Sequence, residues 1–320
     1  METGNPASMT DRILSLILFI IHVVEAYLEA IYRFFIPVNQ RSLTGEIILV
    51  TGSANGFGKA ICQHLSQFKV TLVLWDCDKL ANYATTKELQ LLETTKARIF
   101  PYHVDISSRD NVEAVAAKVK EDVGDVSIII NNAGIAPIGP FLSTDPDLLE
   151  KTFQVNVLSH FWILRVFLPR MIENHHGHIA TVSSIGAFKQ DPGCVPYFGT
   201  KAAVHGYIES LKLQMSQLNA HGIKFTTIYP YFMDTGMIKE VKYAENSKLI
   251  RKLLPIMNPA DVAEKFIEGI RRNYEYVYCP SFMPYLLPLD KFLPLKLRRE
   301  LQVLFDNQME HPAFPRPSRH

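Results

Sequence analysis

The stretch Glu46–Gly58 reads EIILVTGSANGFG. Its first half is a short apolar run, typical of a strand that is buried on both faces of a parallel sheet. Its second half is a glycine-rich turn that opens a helical pattern. Glycine lets the backbone turn tightly and approach a phosphate, while the start of a helix presents free N–H groups. The stretch therefore predicts a strand–turn–helix unit that binds an anion, although its glycine spacing differs from the standard dinucleotide fingerprint.

The same alternation of strand-like and helical patterns continues along the chain. The further predicted strands are 70–75, 98–104, 126–130, 178–182 and 223–229. The predicted helices are 58–68, 79–93, 110–121, 147–173, 196–219 and 259–272. This order predicts an α/β fold with a doubly wound parallel sheet and helices on both faces. We expect one catalytic domain of residues 45–275, between an N-terminal segment 1–44 and a C-terminal segment 276–320.

Acidic and small residues collect after the predicted strands, at the edge where parallel sheets bind ligands. Asp76 ends the second strand, about 20 residues after the glycines, where an acid binds a ribose 2′-hydroxyl and repels a 2′-phosphate. The turn from Gly52 to Gly58 contains no Arg or Lys, so NAD is favoured over NADP. The alternative is that Asp76 caps the following helix. Asp105 ends the third strand and could hold an adenine edge, although such residues are also ordinary turn chemistry.

Tyr197 and Lys201 stand four residues apart in YFGTK, with Ser184 thirteen residues upstream. A free tyrosine has a pKa of about 10, and a neighbouring ammonium favours the phenolate. Tyr197 could therefore take the proton of an alcohol as a hydride leaves, with Ser184 holding the same oxygen. Spacing of this kind is common on helix surfaces and is weak evidence alone. Asn156, inside a long apolar helix, either bends that helix around a water that links Lys201 to solvent or is a satisfied packing residue.

Taken in order, these motifs resemble the short-chain dehydrogenase/reductase family from about Gly45 to Arg272. The resemblance implies a Rossmann-type domain that transfers a hydride between a nicotinamide cofactor and an alcohol or carbonyl. The catalytic set that it implies is Ser184, Tyr197, Lys201 and Asn156, with Ser184 also touching the substrate. The cofactor-binding residues that it implies are Gly52, Ser53, Asn55, Gly56, Phe57, Gly58, Asp76, Asp105, Ile106, Asn132, Ala133, Gly134, Tyr197, Lys201, Pro230 and Thr235. The family's usual glycine after Pro230 is Tyr231 here, which leaves the substrate less certain.

Further passages are similar to the membrane-anchored family 16C branch, which contains retinol and lipid-droplet 17β-hydroxysteroid dehydrogenases. They read FFIP, GEIILVTG, LVLWD, VGDVSIIINNAG, HFWILRVFLP, NHHGHIATVSS and KFLPLK. The resemblance implies a location at the endoplasmic reticulum membrane or a lipid droplet, and a homodimer. It implies a lipophilic substrate, with retinol to retinal expected first and a steroid 17β-hydroxyl next. The alternatives are an NADPH-dependent carbonyl reductase and a catalytically idle scaffold at the same surface.

The N-terminal segment contains ILSLILFIIHVV at 13–24, followed by an amphipathic stretch. The apolar run is shorter than the roughly 20 residues of a straight span. Glu25 and Glu29 share one helix face and would be costly inside hydrocarbon. We therefore expect a helix that inserts into one membrane leaflet, rather than a span, a helix packed on the core or a cleaved signal peptide. Arg33 and Arg41 then favour a catalytic domain that faces the cytosol.

The C-terminal stretch 274–297 begins as a last strand that ends at Pro280 and then has too many prolines for a regular helix. A substrate lid, a second membrane contact and a tail packed over the core all remain open for it.

Composition narrows the partners of the chain. Of its 320 residues 48% are hydrophobic and the net charge is +1, which gives no sign of a nucleic-acid partner. The cysteines, which have neither paired nor metal-like spacing and which we expect to be reduced, are Cys62, Cys77, Cys194 and Cys279. The histidines His175, His176 and His178 lack a carboxylate at metal-ligand spacing, so we expect surface residues and no metal site.

Overall fold

The computed structural model describes residues 9–189, 192–238, 242–243, 255–297 and 309–310. Contacts divide the chain into two compact units, Met1–Arg41 and Ser42–His320. The second unit contains the sheet and every predicted site residue.

A seven-stranded parallel sheet forms the centre of the second unit. Its strands are β1 Ile47–Thr51, β2 Thr71–Asp76, β3 Arg98–His103, β4 Ile128–Asn131, β5 Gly177–Val182, β6 Ile223–Pro230 and β8 Tyr276–Cys279. They lie in the order β3-β2-β1-β4-β5-β6-β8. A separate two-residue ladder pairs β7 Lys242–Tyr243 with β9 Met309–Glu310. The strand order reverses beside β1, and that switch point is where such sheets bind ligands. The prediction of a doubly wound parallel sheet is confirmed.

Helices connect the strands. They are α2 Gly56–Ser66, α3 Lys79–Leu91, α4 Arg109–Asp122, α5 Pro146–Phe153, α6 Ser159–Glu173, α7 Val195–Gln217 and α8 Pro259–Arg272, with the short α9 Met283–Leu286 and α10 Leu289–Phe292. The predicted helix 147–173 is interrupted by a π-helical turn at Gln154–Leu158 between α5 and α6. Such turns often occur at functional sites, and Asn156 lies in its middle.

Alternate residues of each strand face opposite layers of the core, as the pleat requires. Leu49 packs with Val73 and Ile129 beneath α4 and α6, whereas its neighbour Val50 faces the α2 and α8 side. On that side Phe57 stacks on a phenylalanine of α8 with ring centroids 6.3 Å apart. Both faces of the sheet are therefore covered, and the carboxyl edge of the strands is left for a ligand.

One histidine of the three expected at the surface is buried, so the expectation was wrong for it. His175 and His176 are exposed, but His178 is only 1% exposed and its Nε2 lies 2.8 Å from Thr226 Oγ1. The reason is its position in β5, between β4 and β6 and covered on both faces.

The first unit is the helix α1, Met9–Phe35, whose large apolar side chains are exposed within the unit. Residues Met9–Arg33 are long and apolar enough to cross a membrane by length and composition alone. Signal sequences and core helices pass the same test, so this is weak evidence for a membrane helix. Glu29 pairs with Arg33 at 3.4 Å on the more polar second half.

The C-terminal segment starts by packing on the core. Met283 is 5% exposed and belongs to one apolar cluster with Ile185, Ala187 and Tyr229, while Phe292 is 84% exposed. The beginning of the segment is thus a cover over the carboxyl end of β6. The predicted tail beyond 310 lies outside the described residues.

Candidate active site

The glycine turn after β1 is packed so closely that a Cβ atom at Gly52 or Gly58 would clash with neighbouring atoms. Gly52 has a φ of +65°, and a Cβ on it would lie 2.9 Å from Ala133 Cα. A Cβ on Gly58 would lie 1.8 Å from the Gly52 carbonyl oxygen. Glycine at both positions lets β1 turn directly into α2, beside the end of β4.

Side chains of α3 form hydrogen bonds with this turn. Ser53 Oγ donates to Asn82 Oδ1 at 2.9 Å, and Thr85 Oγ1 donates to the Ala54 carbonyl oxygen at 2.8 Å. The Asn82 amide also donates to the carbonyl oxygens of Leu74 and Tyr102. The sequence interpretation missed Asn82 and Thr85. The pattern that could have revealed them is two polar residues three positions apart, on the face of α3 that packs on the sheet.

The start of α2 suits a phosphate. Asn55 makes no side-chain cap, whereas α3, α4, α5 and α8 are each capped by an oxygen of the preceding residue. Asn55 and Gly56 are exposed, and an added Cβ on Gly56 would lie 3.5 Å from Thr235 Cβ. Ser53, Phe57 and Gly58 are buried and act by shaping the turn. Free N–H groups at a helix start together with a side-chain-free approach fit the phosphates of a dinucleotide.

Asp76 is turned towards the glycine turn rather than into the next helix. Its carboxylate accepts from the Ala54 N–H and the Asp78 N–H, both at 2.9 Å. The cap of α3 is Asp78, which accepts from the Ala81 N–H. The alternative that Asp76 serves mainly as the helix cap therefore has no support in the geometry.

Asp105 lies at the end of β3 in a polar cluster. It accepts from the N–H and hydroxyl of Ser107 and forms an ion pair with Lys151 at 3.1 Å. Partial burial would raise the pKa of the Asp105 carboxyl, but these hydrogen bonds and the ion pair outweigh it and hold the pKa below its usual value. Its neighbour Ile106 is buried.

The turn after β4 carries the small residues predicted for the cofactor. The amide of Asn132 donates to the carbonyl oxygens of Thr51 and Gly52, which ties β4 to the glycine turn. Ala133 follows, and a Cβ on Gly134 would lie 3.3 Å from the Asn156 side-chain oxygen. This turn thus connects the glycine turn to Asn156.

Tyr197 and Lys201 lie together at the start of α7. The Lys201 ammonium is 5.5 Å from the centroid of the Tyr197 ring and donates to the Val182 carbonyl oxygen at 2.8 Å. Lys201 is 4% exposed, and burial lowers the pKa of its ammonium to about 8. A substantial fraction of the lysine is therefore neutral above that pH.

Burial is also the largest influence on the pKa of the Tyr197 hydroxyl. It raises the pKa of Tyr197 to about 12, against the lowering effect of a hydrogen bond with Ser184. Ser184 Oγ also accepts from the Gly186 N–H at 3.0 Å, which fixes its rotamer. Burial, rather than the expected influence of Lys201, sets the direction of the tyrosine pKa shift, and it favours the neutral phenol.

Asn156 links the two ends of the site. Its side-chain oxygen accepts from the Ile135 N–H, and its amide donates to the Ile135 carbonyl oxygen and to Thr200 Oγ1 at 3.0 Å. Thr200 in turn donates to the Tyr197 carbonyl oxygen at 2.6 Å. Asn156 is therefore satisfied by protein groups and connects the π-turn to the start of α7.

Apolar residues surround the Tyr197 side. Cys194, Phe198 and Ile138 pack together with Tyr197 and Phe232. Cys194 is 4% exposed and serves as part of this apolar wall. The geometry suits an apolar molecule that brings one hydroxyl or carbonyl oxygen to the Ser184 and Tyr197 hydroxyls.

The loop after β6 continues this wall. Pro230 is buried, and Tyr231 and Phe232 meet edge to face with ring centroids 4.9 Å apart. Tyr231 joins the neighbouring apolar cluster beneath Met283. The family's usual glycine after Pro230 would leave this space open, whereas here the Tyr231 and Phe232 rings fill it.

Comparison with known proteins agrees with this geometry. Residues 46–246 match the family model of short chain dehydrogenases. The chain is 35% identical to human 17-beta-hydroxysteroid dehydrogenase 13 over 298 residues, covering 93% of this chain and 96% of that protein. It is 36% identical to human epidermal retinol dehydrogenase 2 over 281 residues, covering 88% and 89%.

Solved structures share the fold. A short chain dehydrogenase/reductase from Burkholderia phymatum in complex with NAD superposes with a TM-score of 0.67 at 22% identity, covering 85% of this chain and 98% of that one. L-sorbose reductase from Gluconobacter frateurii, complexed with NADPH and L-sorbose, gives a TM-score of 0.64 at 20% identity, covering 74% and 95%. Together with the family match and the full-length relatives, these likenesses show that the chain belongs to the short-chain dehydrogenase/reductase family of oxidoreductases.

Proposed function

We propose that this oxidoreductase interconverts a lipophilic alcohol and its carbonyl with NAD, acting on retinol first and on a steroid 17β-hydroxyl next. The observation that supports this most is the grouping of Ser184, Tyr197, Lys201 and Asn156 beside an apolar wall. The Ser184 and Tyr197 hydroxyls are hydrogen-bonded to each other, and the buried Lys201 ammonium lies 5.5 Å from the centroid of the Tyr197 ring.

The residues divide the proton chemistry between them. Ser184 holds the oxygen of the substrate by a hydrogen bond. In reduction the Tyr197 phenol, which its high pKa keeps neutral, donates its proton to that oxygen. In oxidation Tyr197 must first lose its proton, and the positive charge of the Lys201 ammonium, 5.5 Å from the centroid of the ring, favours the resulting phenolate. Oxidation should therefore rise with pH more steeply than reduction.

A nicotinamide dinucleotide supplies the hydride acceptor or donor when it is bound. The start of α2 would hold its phosphates, Asp105 its adenine, and Thr235 its nicotinamide end. Asp76 supports NAD over NADP, because a carboxylate at this position accepts from a ribose 2′-hydroxyl and repels a 2′-phosphate. Relatives of known structure carry either NAD or NADPH, so this preference is our own inference from the charge.

The substrate class follows from the wall and from the relatives. The side chains around Tyr197 are apolar or aromatic, and the similar human proteins are named for a hydroxysteroid and for retinol. An elongated apolar alcohol would bury its body against such a wall and leave one polar end for Ser184 and Tyr197.

The test is a panel of lipophilic alcohols and ketones, assayed with the membrane-bound enzyme and with both cofactors. We expect NAD-dependent oxidation of all-trans-retinol, followed by 17β-hydroxysteroids, and little activity on short polar alcohols. Faster turnover with NADPH and ketones would identify a carbonyl reductase instead. No hydride transfer with any pair would favour an idle scaffold and overturn the proposal.

We also propose that the enzyme is anchored by α1 at the endoplasmic reticulum membrane or a lipid droplet, with the catalytic unit in the cytosol. The support is an exposed apolar first half of α1 and the basic Arg33 and Arg41 after it. Deleting residues 1–44 should move the protein to the soluble fraction. Continued sedimentation with membranes would assign the anchor to the exposed apolar part of the C-terminal segment.

A homodimer is the assembly that we propose. Phe153 on α5, Phe161 on α6 and Leu213 on α7 are exposed large apolar residues, and burial of such faces between two copies would stabilise a pair. Light scattering of the detergent-solubilised chain should give twice the chain mass, and Leu213→Glu should reduce it.

A further inference from the structure

We infer that Lys151 is a positioning residue for the adenine end of the cofactor. Its ammonium fixes the Asp105 carboxylate so that this carboxylate accepts a hydrogen bond from the exocyclic amine of adenine. The inference rests on the proposed NAD binding and deepens it. Lys151 belongs neither to the catalytic set nor to the cofactor-binding residues inferred from the sequence.

The geometry leaves Asp105 little freedom. Its Oδ1 accepts from the Ser107 N–H at 3.0 Å and from the Ser107 hydroxyl at 2.6 Å. Its Oδ2 lies 3.1 Å from the Lys151 ammonium, which also donates to the Ser107 hydroxyl. The Asp105 N–H donates to Asn111 at 2.8 Å. Because a carboxylate oxygen has two lone pairs, Oδ2 keeps one acceptor site for a further donor.

The cluster lies where an adenine would arrive. Asp105 follows β3, which pairs with β2, and β2 ends at the carboxylate that we assign to the ribose. Lys151 comes from α5, five residues before Asn156 on the same helical run. An ionised acceptor forms a stronger hydrogen bond with an amine than a neutral one does. Lys151 thereby joins adenine recognition to the helix that carries the catalytic amide.

A purely structural role would require this ion pair to stabilise the fold. The side chains of Lys151 and Asp105 are 44% and 49% exposed, and ion pairs this exposed contribute little to stability. Removing Lys151 should therefore leave the melting temperature unchanged. The loss of Lys151 should instead change the affinity for the dinucleotide. It should reduce the preference for adenine over a base that lacks the exocyclic amine.

The test uses calorimetry on the purified full chain in detergent, with NADH, with reduced nicotinamide hypoxanthine dinucleotide and, as a third ligand, with NADPH. In the second compound a carbonyl oxygen replaces the exocyclic amine. The wild type should prefer NADH by about tenfold, and Lys151→Met should reduce that preference to about twofold. Lys151→Arg should retain part of it. Lys120→Met, which removes another exposed and acid-paired lysine far from the strand ends, should retain all of it.

Three results would overturn the inference. Lys151→Met could weaken both dinucleotides equally, which would reduce Lys151 to a general electrostatic effect. It could weaken NADPH more than NADH, which would assign Lys151 to a 2′-phosphate. It could also leave the preference for NADH unchanged. A wild-type chain that binds neither dinucleotide would overturn the proposed function, and the inference with it.

Discussion

Replacing Lys201 by methionine should make the protein more stable while removing its activity. Burial lowers the pKa of the lysine from 10.5 to about 8. At pH 7 that shift corresponds to a cost of about 3 kcal/mol for keeping the charged form in the folded chain. Methionine fills a similar volume without that cost, but it loses the hydrogen bond to the Val182 carbonyl oxygen, worth about 1 kcal/mol.

The net gain should be about 2 kcal/mol at pH 7, which corresponds to a rise in melting temperature of about 4–8 °C for a domain of this size. The sign depends on pH in a defined way. The folded state releases the lysine proton at a lower pH than the unfolded state, so wild-type stability rises between about pH 8 and 10.5. The advantage of the variant should therefore be full below pH 8, vanish near about pH 10 and be slightly reversed at pH 10.5, where mainly the lost hydrogen bond remains.

Thermal unfolding of both proteins from pH 6 to 10.5 measures this difference. Lys120→Met is a matched control, because its lysine is 69% exposed and should give no gain. A Lys201→Met variant that is less stable than the wild type at pH 7 would refute the reasoning. So would an advantage that persists unchanged to pH 10.5.

Three further predictions concern the rest of the site. Asp76→Asn should narrow the preference for NADH over NADPH, measured as the ratio of their dissociation constants, and a wild type that prefers NADPH would contradict our assignment. Asn156→Ala should lose about 3 kcal/mol of unfolding free energy in denaturant titration, because the half-buried backbone of Ile135 and the buried Thr200 hydroxyl lose their partner. The exposed Asn174→Ala, in contrast, should lose little. Gly58→Ala should abolish NADH binding in calorimetry, since its Cβ would clash with the glycine turn, whereas Gly206→Ala in α7 has open space and should bind normally.

The glycine stretch at 46–58 predicted much of the fold, because the local rules there agree with one another. An apolar strand, a turn that needs glycine and a helix start each specify the same unit, and the observed β1 and α2 begin within two residues of the prediction. The end of β8 was also predicted to within one residue, since the proline-rich stretch beyond it excludes a regular helix.

What escaped prediction depends on tertiary contacts. The π-turn at Gln154–Leu158 keeps the apolar pattern of an uninterrupted helix, so periodicity alone could not find it. Asn82 bonds to Ser53, 29 residues away in the chain, and Lys151 bonds to Asp105, 46 residues away. His178 is buried by neighbours on both sides in the sheet. The direction of the Tyr197 pKa shift also depends on burial, which the sequence does not state.

Tyr197→Phe tests the central claim most directly, because it removes one hydroxyl and leaves the ring in the apolar wall. Calorimetry with NADH and turnover of all-trans-retinol with NAD would be measured on the same purified preparations. We predict an unchanged dissociation constant for NADH and a loss of turnover of about 10²–10⁴-fold, as expected for an essential acid–base group. Retinol turnover close to that of the wild type, with NADH binding intact, would contradict the assignment of Tyr197 as the group that moves the proton.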